Sequence, residues 1–246
     1  MALLIEDKLL FIRIPKTGGV WIKSAIKMLG LKTREVGHAH WHASVSTEIY
    51  NLMCGGMPAF TIVRHPLTWY QSYWAYKRQI HGDNINKLFA PAIMWHPTWV
   101  LDTKCDDTDF QKFIDNCLKY CPSYLTHLFH AYVSKPPETT SNGSSWFDTL
   151  DYVGCIEKLC AELAYVLNRF RLIDGDTAQI EKRLRECPQA NVTEDRHKNA
   201  AKYRDIDQVS SLLRSESGIV AQFNYNHNPL EFANLIGGAP DVSANA

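Results

Sequence analysis

The chain alternates between short apolar runs and segments whose apolar residues recur at helical spacing. The apolar runs cover residues 8–14, 59–63 and 152–155. Runs of this kind are typical of strands buried on both faces of a sheet. Because helical segments separate the runs, the pattern predicts an α/β fold with a mainly parallel sheet flanked by helices.

Helices are predicted where apolar positions follow a period near 3.6 and turn residues mark the ends. They cover about residues 20–29, 44–52, 67–80, 108–120, 123–133, 156–169 and 177–185, with a last helix starting near 205. Residues 32–37 are expected to be extended, and residues 188–199 to form a polar loop. Residues 82–147 interrupt the alternation, and we expect an irregular or helical insertion there within one domain, 1–246. A long irregular stretch is often a lid or binding loop.

The first apolar run leads into a loop with the chemistry of a phosphate site. The order is Pro15-Lys16-Thr17-Gly18-Gly19-Val20-Trp21. Proline ends the strand, and the two glycines permit a tight turn and close approach of a ligand to the backbone. A helix N-terminus after such a loop offers free N–H groups and a positive dipole end. The Lys16 ammonium and the Thr17 hydroxyl are further candidate ligands, so this stretch predicts a strand–loop–helix nucleotide site resembling a P-loop.

A second candidate anion site follows the second strand. Arg64 stands where residues 59–63 end, at the edge of the sheet that binds ligands in open α/β folds. Ser72 lies eight residues later, in the early turns of the next helix, and helical side chains lean toward the helix start. A guanidinium fork together with a hydroxyl can hold a phosphate.

These two elements together resemble the nucleotide-binding elements of sulfotransferases that use 3′-phosphoadenosine 5′-phosphosulfate (PAPS), in the carbohydrate-sulfotransferase-like branch. Asp151–Leu159 resembles a strand–helix segment of that family, and residues 191–198 are similar to its late nucleotide loop. Val20 departs from the family pattern, which has Ser or Thr there. The resemblance implies that the cofactor is PAPS, that the product is 3′-phosphoadenosine 5′-phosphate (PAP), and that the nucleotide is bound by Lys16, Thr17, Gly18, Gly19, Val20, Trp21, Arg64, Ser72, Arg196 and Lys198.

The reaction implied by the resemblance is in-line transfer of a sulfuryl group to a hydroxyl or amine of a small-molecule or carbohydrate acceptor. Lys16 would neutralise charge on the departing phosphate. The proton of the acceptor needs a general base. His42 is the first candidate, His40 the second and His38 the third, with Glu48 a weaker alternative. A His-x-His-x-His run could also bind zinc or copper, and that alternative stays open.

Two other functions remain open. A P-loop kinase shares the strand–loop–helix order, but it requires Lys after the second glycine of the loop and an Asp after an apolar strand, where this chain has Arg64. A non-catalytic module that binds a nucleotide or glycan is the other alternative, and the absence of a hydroxyl at Val20 favours it mildly.

The composition and charge of the chain narrow the classes of function that it can have. The 246 residues carry equal numbers of acidic and basic side chains, so bulk attraction to nucleic acid is not indicated. The charge is nevertheless uneven, since residues 1–80 hold ten Lys and Arg against four Asp and Glu. No apolar run is long enough to span a membrane. Seven cysteines without a secretion signal favour reduced thiols and a cytoplasmic location.

Overall fold

The computed structural model describes residues 2–37, 47–81, 109–133, 150–190 and 194–225, without the side chains of 47, 80, 81, 130 and 131. The chain divides into two compact units. The first comprises residues 1–64 and 128–192, and the second comprises residues 65–127 and 193–246. Each unit is described by itself below.

The first unit contains a five-stranded sheet. Its strands are β1 Ala2–Ile5, β2 Leu9–Ile12, β3 Thr33–Val36, β4 Ala59–Val63 and β5 Tyr152–Cys155. The spatial order is β3-β1-β2-β4-β5. β4 is parallel to both β2 and β5, whereas β1 is antiparallel to both β2 and β3. The predicted α/β class is confirmed, but the prediction of a mainly parallel sheet is wrong because the sheet is mixed.

A tight hairpin turn, which the sequence pattern does not predict, joins β1 to β2 in the antiparallel part of the sheet. Glu6 and Asp7 occupy the left-handed region, with φ of 50° and 51°, and the N–H of Lys8 donates to the Ile5 carbonyl at 2.9 Å. Glycine or asparagine is the usual residue at positive φ. Since neither is present, the composition of this turn does not predict a hairpin, and the predicted strand at 8–14 is limited to Leu9–Ile12.

Ten helices lie in the described part of the chain. They are α1 Gly19–Met28, α2 Thr47–Cys54, α3 Pro66–His81, α4 Phe110–Tyr120, α5 Tyr124–Val133, α6 Leu159–Arg169, α7 Thr177–Arg185, α8 Asp195–Ala200, α9 Ile206–Ser215 and α10 Ser217–Gln222. Among these described helices, none is long and apolar enough to cross a membrane.

The core of the first unit lies between the sheet and three helices. Phe11 of β2 stacks on Phe60 of β4 with ring centroids 4.8 Å apart. The buried residues of α1, α6 and α7 join them in one apolar cluster. Burial of each large apolar side chain contributes about 1.5–3 kcal/mol, so this cluster fixes α1 firmly against the sheet. The start of α1 is therefore held on a rigid support.

The second unit is helical and is built around α3, α4, α9 and α10. Trp69, Tyr70 and Tyr203 are almost fully buried, and the Tyr203 hydroxyl donates to the Leu67 carbonyl at 2.8 Å. Glu216 is a fully buried acid. Its carboxylate accepts hydrogen bonds from two helices, from Tyr70 of α3 and from Leu125 and Thr126 of α5, which makes it a polar anchor rather than a surface charge.

Three local predictions differ from the structure. Residues 188–199, predicted as a loop, contain α8, a six-residue polar helix with Asp195 in its first turn. α6 is preceded by a separate 3₁₀ turn, Ile156–Lys158. The helix predicted from about residue 108 begins at Phe110, and its N-cap is Asp109, whose carboxylate accepts from the Gln111 N–H at 2.6 Å.

The predicted insertion at 82–147 is described only over residues 109–133, which form α4 and α5. The prediction of a single domain over 1–246 is not tested by the division into two units.

Candidate functional site

The loop from Arg13 to Gly18 connects β2 to α1 and holds the first predicted anion site. Thr17 is fully buried, and its hydroxyl donates to the Ile14 carbonyl at 2.9 Å. This bond uses the hydroxyl proton to brace the loop. Any contact of Thr17 with an anion would therefore come from its backbone N–H rather than from its side chain.

The loop backbone is left-handed at two residues before the right-handed helix α1 begins. Lys16 and Gly18 have φ of 64° and 83°, and Gly19 begins the right-handed helix α1. A Cβ at Gly18 would lie 3.0 Å from Leu159 Cδ2, at the start of α6. Both its left-handed backbone and its close packing therefore require glycine at position 18. At Lys16 the same left-handed backbone is strained, which is common at binding sites.

Arg64 and the Lys16 loop come together at one edge of the sheet. β2 and β4 are parallel neighbours, so the residues that follow them emerge side by side. The Arg64 guanidinium donates from Nη1 to the Lys16 carbonyl at 3.2 Å. This hydrogen bond joins two elements that are 48 positions apart in sequence.

Val20 and Trp21, in the first turn of α1, differ in their surroundings. Val20 is 39% exposed in the first turn of α1. Trp21 is half-buried, and its indole N–H donates to the Cys187 carbonyl at 3.5 Å. The indole therefore ties α1 to the end of α7. The predicted contact of these two residues with a nucleotide remains a prediction.

A third cation near the loop, Arg13, was missed by the sequence reasoning. Its Nε lies 3.3 Å from the position that a Cβ of Gly19 would occupy. Its Nη1 is 3.6 Å from Glu35 on β3, and Glu35 also accepts a 2.8 Å hydrogen bond from Lys23 of α1. That hydrogen bond, with the charges of Lys23 and Arg13, lowers the pKa of Glu35. The signal in the sequence was an arginine directly after a buried strand, the same signal that singled out Arg64.

The three histidines predicted as candidate bases, His38, His40 and His42, lie outside the described residues. The residues on either side of them are joined, because the Gly37 N–H donates to the Glu48 carboxylate at 3.0 Å. Glu48 also pairs with Arg34 at 3.5 Å. The carboxylate of Glu48 already has two partners, so Glu48 is a weaker candidate for the general base than the histidines.

The remaining predicted nucleotide ligands belong to the second unit. Ser72 lies on α3, and Arg196 and Lys198 lie on α8. Arg196 pairs with Glu194 at 2.7 Å, and Lys198 pairs with Asp195 at 3.1 Å. Both cations are compensated by acids of their own segment, so their assignment continues to rest on the resemblance.

The second unit also contains a cavity of about 430 Å³. Its lining includes the aromatic residues Trp74, Phe110 and Tyr203, together with Lys202 and the ion pair of Asp109 with Arg204. It shares no residue with the predicted nucleotide site. In the described part of the chain, no cluster of three or more His, Cys, Asp or Glu side chains could hold a metal ion.

Comparison with known proteins adds no relative: the chain matches no protein-family model, no curated protein and no solved structure.

Proposed function

We propose that the protein is a PAPS-dependent sulfotransferase that acts on a hydroxyl or amine of a small-molecule or carbohydrate acceptor. The observation that carries the proposal is the hydrogen bond from Arg64 to the Lys16 carbonyl. A ligand with a phosphate at each end of one ribose would need two cationic elements close together. The first unit brings two such elements to one sheet edge.

The residues present fit an anion at the start of α1. Successive N–H groups of residues that alternate between left- and right-handed conformations point toward one side and form an anion-binding concavity. Gly18 and Gly19 have this alternation. The positive end of the α1 dipole and the Lys16 ammonium favour the same charge. In the proposal they hold the 5′-phosphosulfate, while Arg64 holds the 3′-phosphate; Ser72 joins Arg64 on the basis of its sequence spacing alone.

Bound PAPS would supply the sulfuryl group: the acceptor oxygen or nitrogen bonds to sulfur, the bond from sulfur to the 5′-phosphate oxygen breaks, and PAP leaves. The chain's own residues would orient the two reactants and balance the charge. Lys16 would offset the negative charge on the departing phosphate. His42 would take the acceptor's proton, with His40 as the second candidate.

The first test compares the affinity of the protein for two nucleotides. Calorimetric titration with PAP and with ATP should show tighter binding of PAP, because PAP places phosphates on both the 3′ and the 5′ positions. Lys16→Ala should weaken the binding of PAP about tenfold or more, since a charged hydrogen bond contributes about 1.5–3 kcal/mol. Equal or tighter binding of ATP would favour the kinase alternative.

Transfer itself needs a second assay. Candidate acceptors, beginning with sugars and small phenols, would be incubated with protein and PAPS and analysed by mass spectrometry for added sulfate. A protein that binds PAP tightly but transfers to none of these acceptors, and does not hydrolyse PAPS slowly in their absence, would be a binding module on this fold rather than an enzyme.

A further inference from the structure

The helices α6 and α7 form a hairpin within the first unit. At its closed end the Asn168 side-chain amide donates to the Gly175 carbonyl at 2.7 Å, which joins the end of α6 to the segment before α7. The two helices contact each other, and their buried residues belong to one apolar cluster. Because both helices are of similar length and rise about 1.5 Å per residue, the start of α6 and the end of α7 meet at the open end of the hairpin.

Two cysteines lie at this open end. Cys160 precedes Leu163 and Ala164 by three and four positions, so it lies on the buried face of α6. Cys187 follows α7, and its N–H donates to the Leu184 carbonyl at 3.0 Å, which continues the last turn on the buried face of α7. Both are free thiols that pack in the same apolar cluster. Helices whose axes lie about 8–10 Å apart bring facing Cα atoms within the roughly 7 Å that a disulfide spans.

The titration of Cys160 also indicates that the end of α7 lies beside it. Burial raises the pKa of the Cys160 thiol, Arg185 lowers this pKa, and the charges of Glu181 and Cys187 raise it. These three residues lie in the second half of α7 or directly after it. Burial raises the pKa of Cys187 as well. Since the thiolate is the reactive form, both thiols should react slowly at neutral pH and faster in mild alkali.

We propose that Cys160 and Cys187 form an intramolecular disulfide under oxidising conditions, and that this disulfide is a clamp across the open end of the hairpin. The oxidant is a small disulfide such as oxidised glutathione. The Cys160 thiolate attacks one of its sulfurs, and one glutathione thiolate leaves; the Cys187 thiolate then attacks the Cys160 sulfur, and the second glutathione leaves. Two cysteine thiols are oxidised, one glutathione disulfide is reduced, and the two cysteine protons go to the released glutathiones. Cys160 reacts first because it is half-buried, whereas Cys187 is only 8% exposed.

The clamp lies behind the loop that joins β2 to α1. Leu159, the neighbour of Cys160, has its Cδ2 at 3.0 Å from the position that a Cβ of Gly18 would occupy. The Cys187 carbonyl accepts from the Trp21 indole N–H at 3.5 Å. A bond between the two cysteines would restrict the elements that support this loop, so it should slow the local opening of the loop. The effect does not depend on which ligand the loop binds, and the inference therefore goes beyond the proposed function.

The first test maps disulfides in the whole folded chain. Reduced protein is incubated with oxidised glutathione at about pH 8, where more thiolate is present. Free thiols are then blocked, and the digested protein is analysed by mass spectrometry. We expect a peptide crosslinked between Cys160 and Cys187 that dithiothreitol reverses. Cys160→Ser should lose this crosslink, whereas Cys54→Ser, the matched control at an exposed thiol on α2, should keep it.

The second test measures the effect of the clamp on the loop. Hydrogen exchange of the peptide covering residues 15–21 should be at least about threefold slower in the crosslinked chain than in the reduced chain. A peptide from α9, in the second unit, should exchange equally in both. Cys160→Ser treated with oxidised glutathione should show no slowing, and its circular dichroism spectrum establishes that it is folded. The wild-type chain after reduction with dithiothreitol should return to the faster exchange.

Each outcome decides one part of the proposal. A mixed disulfide that persists at Cys160, a crosslink from either cysteine to a different partner, or no crosslink at all would overturn the disulfide. Unchanged exchange of the loop in a fully crosslinked chain would overturn the action of the clamp on the loop. None of these results bears on the titrations with PAP and ATP, so the failure of this inference and the failure of the proposed function are distinguishable.

Discussion

In the proposed function Arg64 binds the 3′-phosphate, and in the structure it also supports the Lys16 loop. Its guanidinium donates to the Lys16 carbonyl, so truncation removes a cation and also loosens the loop. Arg64→Ala is expected to weaken PAP binding tenfold or more, and to weaken adenosine 5′-phosphosulfate, which lacks the 3′-phosphate, distinctly less. Calorimetry with both ligands makes the comparison. Equal losses with an intact fold would show that Arg64 acts only through the loop.

Substitutions at Lys16 can separate the effect of backbone strain from the effect of charge. Its φ of 64° is unfavourable for a residue with a Cβ by about 1–2 kcal/mol. Lys16→Gly and Lys16→Ala both remove the ammonium, so both should bind PAP more weakly. Lys16→Gly should nevertheless be more stable than Lys16→Ala by about 1 kcal/mol in urea denaturation, because glycine adopts this conformation freely. Equal stabilities would mean that the loop relaxes when the side chain is lost.

His42 is the predicted base, and its role stays a prediction because it lies outside the described residues. His42→Ala should bind PAP as the wild type does and lose roughly 10²–10⁴-fold in turnover, the usual size of a general-base contribution. His40→Ala and His38→Ala should lose less. A dead His40→Ala beside an active His42→Ala would move the role by two residues. Three active variants would direct attention to Glu48.

Individual residues show how much of this site the sequence predicts. The closeness of the Lys16 loop and Arg64 follows from two parallel strands ending at one edge, a relation that the sequence pattern predicts. The direction of individual side chains does not follow from such a pattern. Thr17 turns inward to the Ile14 carbonyl, and Arg13 packs on Gly19. Both depend on contacts that form only when the loop is folded.

Among the elements, the helix α5 depends on an acid from a distant part of the chain. Glu216 accepts from the Leu125 N–H at 3.0 Å, from the Thr126 N–H at 2.9 Å and from the Tyr70 hydroxyl at 2.6 Å. Glu216→Ala would leave these buried donors unsatisfied and should lower the free energy of unfolding by about 3 kcal/mol or more. Glu216→Gln, which keeps one acceptor oxygen, should cost less. Urea denaturation measures both.

Exposed Glu186 offers the control for this comparison. Its side chain is exposed at the end of α7, so Glu186→Ala should stay within about 0.5 kcal/mol of the wild type. If Glu216→Ala were as mild as Glu186→Ala, the carboxylate would not anchor α5.

The elements also show why some boundaries are predictable and some pairings are not. β4, β5 and α7 have the bounds that the sequence predicts. Pro58 marks the start of β4, and Asp176 caps the start of α7. The hairpin of β1 with β2 has no such marker, because Glu6 and Asp7 form the turn. α8 is too short and polar to show an apolar stripe. The mixed character of the sheet could not be predicted, because strand order and direction depend on pairings that a one-dimensional pattern does not contain.

At the scale of the whole molecule, buried tyrosines should limit stability at high pH. Tyr70, Tyr124 and Tyr203 are 0–1% exposed, and burial raises the pKa of each of the three hydroxyls well above its ordinary value. Burial also raises the pKa of Tyr73 to about 12. All four belong to the second unit. This unit therefore contains four tyrosines whose hydroxyls release their protons less readily in the folded chain than in the unfolded chain.

The sign of the effect follows from proton counting. Above about pH 10, an unfolded chain releases the tyrosine proton that the folded chain still holds, so the free energy of unfolding falls as pH rises. Tyr73 alone, with a pKa raised from 10.0 to about 12, should remove about 2–3 kcal/mol by pH 12. Urea midpoints measured from pH 8 to pH 12 should stay level up to about pH 10 and then drop.

Tyrosine variants make this prediction specific. Tyr73→Phe removes one of the shifted groups and should flatten the decline, while Tyr165→Phe, at a side chain that is 44% exposed on α6, should leave it unchanged. Tyrosinate absorbance, followed together with circular dichroism, reports ionisation and unfolding in one sample. The buried hydroxyls should ionise only as the fold is lost. Full ionisation of all eleven tyrosines near pH 10 with an unchanged dichroism spectrum would show that these hydroxyls are open to water.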